Sequence, residues 1–448
     1  MSTPSEDRPS AVPATAKQDG EVRGRWPWAE PAVWTERMLT ALEEGVKGGV
    51  WFTLIDKVWS RRNLMASYAK VAANGGVAGV DHETVEMFGH QVEAKVAKLE
   101  AALRDGSYEP QAIRRTFIPK PGSSEQRPLG IPTVRDRVVQ GAIRHVLEPI
   151  FEKEFAASSY GFRPGRGCKD ALRRVDDLLK QGYGYVVDAD LKSYFDTIPH
   201  ERLLSRLRER IADGRLLALI ELFLKAGIFD GLREWEPEAG VPQGAVLSPL
   251  LSNIYLNPLD HQMAVGGRAM VRYADDFVIL CRSQAEAEQA LAEVRQWCAA
   301  EGLVLHPDKT RIVDVRQAGF DFLGYHFVTT RRGRLTRWPR TKSLAKLKTT
   351  LRAKTKRTQG RSMECIIADV SRTLRGWFVY FKHSYYTTFP TLDRWVRGRL
   401  RSILRKRRGG RGRGRGSDHQ RWPNAYFAER GYFSLTVAHA LACQSPGG

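Results

Sequence analysis

Met270-Val271-Arg272-Tyr273-Ala274-Asp275-Asp276-Phe277-Val278-Ile279-Leu280 sets two adjacent acids between two apolar runs. The pattern over Val271–Cys281 reads as strand, tight turn, strand. Two carboxylates inside an apolar hairpin are costly to bury unless a positive charge compensates them. A metal ion is the natural compensation. Asp190 closes another strand-like stretch, Tyr183 to Leu191, so three acids distant in the chain are expected to meet in one sheet. Hard oxygen ligands favour magnesium. Two such ions about 4 Å apart can activate a hydroxyl and stabilise a leaving pyrophosphate. An isolated Asp-Asp pair is more often a surface turn. The flanking apolar strands and the motifs below distinguish this one.

Outward from the hairpin, helical periodicity is expected over Ala32 to Ala73, His82 to Leu103, Asp136 to Phe155, Glu201 to Ala226 and Glu286 to Glu301. Residues 113–133 read as two short strands about a Gly/Ser turn. Further strands are expected at Ile312 to Val315 and Phe320 to Phe327. This order predicts an antiparallel sheet with helices on one face, an α+β layer. Residues 331–340 read as a basic linker. Three helices follow at Ser343 to Lys356, Ile366 to Phe381 and Thr391 to Arg407, and Gly409 to Gly416 is a low-complexity, flexible stretch.

The 448 residues suggest about three domains. A hydrophobic content of 42% excludes a fully disordered chain. No apolar run reaches the 18 or so residues that cross a bilayer, and the best, Leu216 to Leu224, is broken by Glu221. The first twenty residues lack the apolar core of a secretory signal, so residues 1–30 are expected to be a disordered lead-in to a cytoplasmic protein. Five scattered cysteines without a C-x-x-C pair point to reduced thiols. Charge is unevenly placed. Residues 331–416 hold 27 Lys and Arg against three acids, a local net of +24, within a chain of net charge +21. Aromatics interleave that segment, among them Trp338, Trp377, Tyr385, Tyr386 and Trp395. Cations with stacking rings suit RNA or DNA better than a membrane surface.

From about Trp34 to Val437 the chain resembles the bacterial group II intron-encoded reverse transcriptases and maturases. The resemblance is carried by motifs in order: Ile118-Pro119-Lys120, Arg127-Pro128-Leu129-Gly130-Ile131-Pro132, Tyr160-Gly161-Phe162-Arg163-Pro164, the acids at 190, 275 and 276, Pro242-Gln243-Gly244, Leu247-Ser248-Pro249 and Phe322-Leu323-Gly324-Tyr325. It implies a right-hand polymerase, with fingers and an antiparallel-sheet palm followed by a helical thumb/maturase region. The corresponding divisions are an N-terminal extension and start of the fingers at 31–110, fingers and palm at 111–330, a thumb/maturase (X) domain at 331–408 and a Gly/Arg-rich end at 409–448. Gly75 to Asp81 resembles an extension that helps hold template RNA.

The resemblance also implies residue roles. Asp190, Asp275 and Asp276 are the catalytic acids and, with Leu191, hold two magnesium ions. Lys120 and Arg127 clamp a triphosphate. Phe195 lies under the incoming sugar, where its ring selects deoxynucleotides. Gln243 sits near nucleotide and template, Lys309 serves the leaving pyrophosphate, and Leu323 and Gly324 form a primer grip. The implied partners are intron RNA, an RNA template, a DNA primer, dNTPs and target DNA. Many relatives continue into an endonuclease region with paired cysteines and histidines, and nothing of that kind follows Phe433, so second-strand nicking is not expected. The implied function is RNA-directed DNA synthesis with splicing assistance in intron mobility. The alternatives are a reverse transcriptase domesticated for defence or DNA repair, and a splicing-only RNA-binding protein.

Overall fold

The computed structural model describes residues 12, 20–119, 126–231 and 233–444. They pack as two compact units, one ending at residue 312 and the other beginning at 313.

In the first unit, strand β1 (Ile113–Pro119) pairs antiparallel with β2 (Gln126–Ile131). Tyr185–Asp190 forms β3. On its other side β1 pairs parallel with β4 (Ile228–Phe229), which pairs with β5 (Glu234–Trp235). The strands β6 (Ala269–Tyr273) and β7 (Asp276–Cys281) form the expected hairpin, and the second sheet runs β6-β7-β3-β8, with β8 at Arg311–Asp314. The chain passes from the first unit to the second within β8.

Helices cover both faces of this sheet rather than the one face expected. Phe277, Ile279 and Cys281 join the main core with Val187 and Ala189, alongside Leu291 and Val294 of the helix Gln284–Ala300. Their neighbours Val278 and Leu280 are equally buried but point the other way, where the helix Cys168–Lys180 packs on β6 and β7. The unbroken apolar run of β7 is the signature of a strand buried on both faces.

The longest expected helices are broken. The stretch 32–73 becomes Glu36–Glu44, Ile55–Trp59 and Arg61–Asn74, interrupted where Gly45, Gly48 and Gly49 take positive φ. The stretch 201–226 splits into His200–Arg208 and Gly214–Lys225. Between them Ala212 N–H donates to Trp51 O at 2.7 Å. The Asp213 carboxylate there accepts from the N–H groups of Leu54, Ile55 and Leu216. One side chain thus serves two helix starts, a long-range contact that periodicity cannot reveal. The helix Val134–Glu152 is buried nearly all round. Gly141 in it lets the helix Arg61–Asn74 approach so closely that a Cβ would lie 2.2 Å from Ser67 Oγ.

Residues 20–30, expected to be disordered, are folded. Gly20–Arg25 is helical, Val22 and Ala29 are buried, and Trp26 Nε1 donates to Glu43 Oε1 at 2.9 Å. Two indoles within three residues supply the apolar surface that anchors them. Residues 1–11 and 13–19 lie outside the described residues.

In the second unit, β9 (Phe320–Phe322), β10 (Tyr325–Thr329) and β11 (Leu335–Pro339) form an antiparallel sheet. The segment read as one strand, 320–327, is therefore a hairpin, and the linker read at 331–340 contains a strand. Helices Thr341–Lys354, Met363–Phe381 and Thr388–Arg407 follow as expected. The chain then returns over them through Leu435–Gln444. Asp393, fully buried, accepts from Tyr432 OH, Ser434 Oγ, Thr436 Oγ1 and the N–H groups of Leu435 and Thr436, all within 3.1 Å. These bonds cap the last helix and fix it to the third. Replacing Asp393 by Ala strips five donors of their acceptor and is expected to cost roughly 3 kcal/mol. Limited proteolysis would then cut first near residue 432, and an unchanged cleavage pattern would refute this account of the tail.

Candidate active site

The antiparallel register of β3 and β7 brings Asp190 opposite Asp276. Both belong to the sheet face of Val186 and Val278, which is open beyond Val278, since Asp276 is exposed. Tyr273 pairs with Asp276 across the hairpin, so Ala274 and Asp275 alone form its turn. Asp275 is half-buried. Burial pushes its carboxyl above the ordinary carboxylate range, and the nearby Asp190 charge adds to this. Arg127 and Arg272 pull it the other way. Asp190 Oδ2 is held by Lys309 Nζ at 2.7 Å, which places a fourth sequence-expected residue at the same point. Asp190 O and Lys192 N bond to His306 N and Val304 O. By strand alternation the Leu191 carbonyl therefore faces the opposite edge, that of β7. Among the described residues no three carboxylate, imidazole or thiol side chains gather closely enough to chelate an ion unaided. The donor set nevertheless suits a hard divalent cation: two carboxylates in mutual repulsion, one of them raised by burial, beside a strand-end carbonyl.

Arg127 and Gln243 come together, with Arg127 Nε donating to Gln243 Oε1 at 2.9 Å. Gly130 N donates to Gln243 O at 2.6 Å, and a Cβ on Gly244 would meet Gly130 O at 2.6 Å. The two glycines therefore let the Pro242-Gln243-Gly244 loop lie against β2. Phe195 is buried behind that loop, its carbonyl accepting from Val241 N at 2.6 Å. With Asp196, Arg115, Trp235 and Gln243 it lines a cavity of about 560 Å³. Burial raises the Asp196 carboxyl, against the pull of Arg115 and Arg127. Lys120 lies outside the described residues.

Sequence reasoning missed the support beneath the turn. Arg272 and Asp260 are both 0% exposed, with Nε at 2.8 Å from Oδ1 and Nη2 at 2.5 Å from Oδ2. Arg272 Nη1 also donates to Asn253 Oδ1 at 2.9 Å and to Ala274 O at 2.8 Å. Asn253 Nδ2 donates to Gly161 O at 2.8 Å. Asn253 and Asp260 stand seven residues apart on the helix Ser248–Val265, two turns on one face. That spacing, with a lone Arg in an apolar strand, was the available signal. Ala274 has φ +59°, a conformation costing a non-glycine residue roughly 1–2 kcal/mol. Phe162 and Ser193, in the two neighbouring motifs, also have positive φ. Such strain gathers where surrounding contacts over-determine the backbone.

In the second unit, Leu323 and Gly324 form the two-residue turn of the β9–β10 hairpin, both with positive φ. Gly324 is thus required by backbone conformation, since a Cβ there would meet nothing closer than 3.5 Å. Tyr380 OH donates to Leu323 O at 2.6 Å and Arg340 N to Gly324 O at 2.8 Å. On the helices of this unit, Lys348, Arg352 and Arg399 stand over the Trp395 ring at 5.9, 5.7 and 5.5 Å. Burial, with the charges of Arg352 and Arg357, lowers the affinity of Arg399 for its proton. Like charges around one indole form a surface suited to phosphates.

A Cβ on Gly161 would lie 2.3 Å from Ala274 N. Gly161→Ala is therefore expected to cost about 2–3 kcal/mol, whereas Ala274→Gly relieves strain and is neutral or stabilising by up to about 1 kcal/mol. Denaturant titration measures both, and a Gly161→Ala protein as stable as its parent would contradict the close packing of these motifs.

Residues 118–327 match the family described as reverse transcriptase (RNA-dependent DNA polymerase), and residues 344–422 match the group II intron maturase-specific domain. Protein YkfC of Escherichia coli is 37% identical over 295 residues, 56% of this chain and 76% of that protein. The group II intron-encoded protein LtrA of Lactococcus lactis is 39% identical over 219 residues, 46% of this chain and 35% of LtrA, so the match spans about a third of that relative. Among solved structures, a partial Cas6-RT-Cas1–Cas2 complex is 26% identical, covering 56% of this chain and 43% of that one at a TM-score of 0.35. With a polymerase domain joined to a maturase domain in one chain, and 37% identity across three quarters of a relative, the protein belongs to the group II intron-type reverse transcriptase/maturase family.

Proposed function

We propose that this protein is an RNA-directed DNA polymerase that copies RNA into cDNA from dNTPs and a DNA primer, and that binds and helps splice a group II intron RNA in the course of that intron's mobility at a DNA target. The observation that carries the polymerase reading is the register pairing of Asp190 with Asp276, beside a half-buried Asp275 in a braced turn. In this reading residues 31–110 form the N-terminal extension, 111–330 the fingers and palm, and 331–408 the thumb/maturase region with 409–448 as its end.

Asp190, the Leu191 carbonyl, Asp275 and Asp276 would hold two magnesium ions. Such ions supply acidification of the primer 3′-hydroxyl and charge neutralisation at the leaving pyrophosphate. The remaining roles belong to side chains. Arg127, oriented by Gln243, presents a forked donor to triphosphate oxygens, with Lys120 as a second cation. Lys309 Nζ holds Asp190 in place and is a proton donor within reach of the same site. Phe195, fixed by its backbone contact to Val241, offers a ring that rejects a 2′-hydroxyl. Leu323 and Gly324 present a narrow turn to the primer backbone, and the cations around Trp395 bind intron RNA.

Asp275→Ala is expected to abolish magnesium-dependent dNTP incorporation on an RNA template while RNA binding persists. Full activity would remove Asp275 from the site, and an unsubstituted protein that splices without extending a primer would favour the splicing-only alternative. Phe195→Val is expected to admit ribonucleotides, read as the ratio of rNTP to dNTP incorporation. The pH profile offers a third test. Because burial raises the Asp275 carboxyl, protons compete with cations for it at higher pH than for an ordinary carboxylate of about 4. The acid limb of the single-turnover rate is therefore displaced upward, and Arg127→Gln, which removes a positive neighbour, moves it higher still. An acid limb that Arg127→Gln leaves in place would contradict this coupling.

A further inference from the structure

The second unit contains a cavity of about 460 Å³ to which the reading above gives no role. Its walls come from three separate stretches. Arg334 and Arg337 lie in and beside β11, Lys382, Tyr385 and Tyr386 in the bend before the helix Thr388–Arg407, and His439 on the last helix. Tyr385 N donates to Arg337 O at 2.7 Å and ties the first two stretches together. The His439 ring stacks on Phe389 at 4.5 Å and fixes the third. Among the described lining residues there is no Asp or Glu.

The rings and charges are arranged for a planar anionic ligand. Tyr385 is packed between Trp338 at 4.8 Å and Tyr386 at 4.6 Å, and the Arg334 guanidinium lies 5.5 Å from its centroid. Tyr386, at 54% exposure, leaves much of its ring open to solvent at this cavity. A base stacked there is worth roughly 1–3 kcal/mol, and Arg334, Arg337 and Lys382 supply cations for the phosphates on either side of it. The volume falls within the usual range for small-ligand pockets, about 300–1,000 Å³. A base within a duplex keeps its faces in the stack and cannot enter a concavity of this kind, whereas an unpaired base can be splayed out.

We propose that this cavity receives one unpaired nucleotide of a bound RNA strand, its base on Tyr386 and its phosphates on Arg334, Arg337 and Lys382. This rests on the reading of the chain as an RNA-binding polymerase and maturase, and adds a single-strand-specific contact within the second unit. The test uses the full chain with a 12-nucleotide single-stranded RNA carrying 4-thiouridine, photo-crosslinked and mapped by peptide mass spectrometry. Cross-links are expected within 382–386. Their yield should fall about tenfold in Tyr386→Ser, survive in Tyr386→Phe, which keeps the ring, and resist competition by blunt duplex RNA or free AMP. Absence of cross-links at 382–386, equal yield in Tyr386→Ser, or full competition by either competitor would overturn the proposal. Primer extension by the unsubstituted protein, run in parallel, keeps the two readings apart. Extension without these cross-links removes the pocket alone, and cross-links without extension remove the polymerase alone.

Discussion

A guanidinium and a carboxylate buried entirely out of water, Arg272 and Asp260, govern where the acidic hairpin turn can lie. A buried pair of this kind adds little net stability, because both ions lose their hydration, yet removing one partner strands the other at a cost of several kcal/mol. Its value here is positional. The same guanidinium reaches Asn253 and the Ala274 carbonyl, so the helix Ser248–Val265, the strand β6 and the turn are joined through one planar group. Gly161 completes the clamp from the other side. The strained φ of Ala274 persists because these contacts leave the backbone no alternative.

Charge divides the chain as sharply as packing does. Residues 331–416, at a net of +24, carry more than the whole excess of +21, while the first unit spends its Arg and Lys largely in pairs with its own acids, such as Arg163 with Glu152 and Arg206 with Glu301. In the second unit several cations face rings or one another instead, as around Trp395 and Tyr385. Under the proposed function, a near-neutral unit carrying the facing carboxylates and a cationic unit with clustered Arg and Lys separate chemistry from affinity.

The hairpin, the strand ending at Asp190 and the three basic helices were legible because each is a local pattern: apolar alternation, an acid at a strand end, helical spacing. The pairing of Arg127 with Gln243 was not, since 116 residues separate them and only the fold closes that distance. The long helices over 32–73 and 201–226 misled for a similar reason. Their periodicity is real, but the Trp51 bridge and the Asp213 cap interrupt it through contacts that no short window contains. Arg272 stood in plain view inside the decisive motif, yet an arginine amid Val and Tyr declares its purpose only when its buried partners on another helix are known.

The facing of Asp190 and Asp276 has a consequence for how such a sequence can vary. Strand side chains alternate with period two, so both acids share a parity with Val186 and Val278. Gain or loss of a single residue between Tyr185 and Asp190 would turn the acid toward the core face that Val187 and Ala189 occupy and away from Asp276. This short strand therefore tolerates substitution better than a change of phase, which the loops on either side of it can absorb.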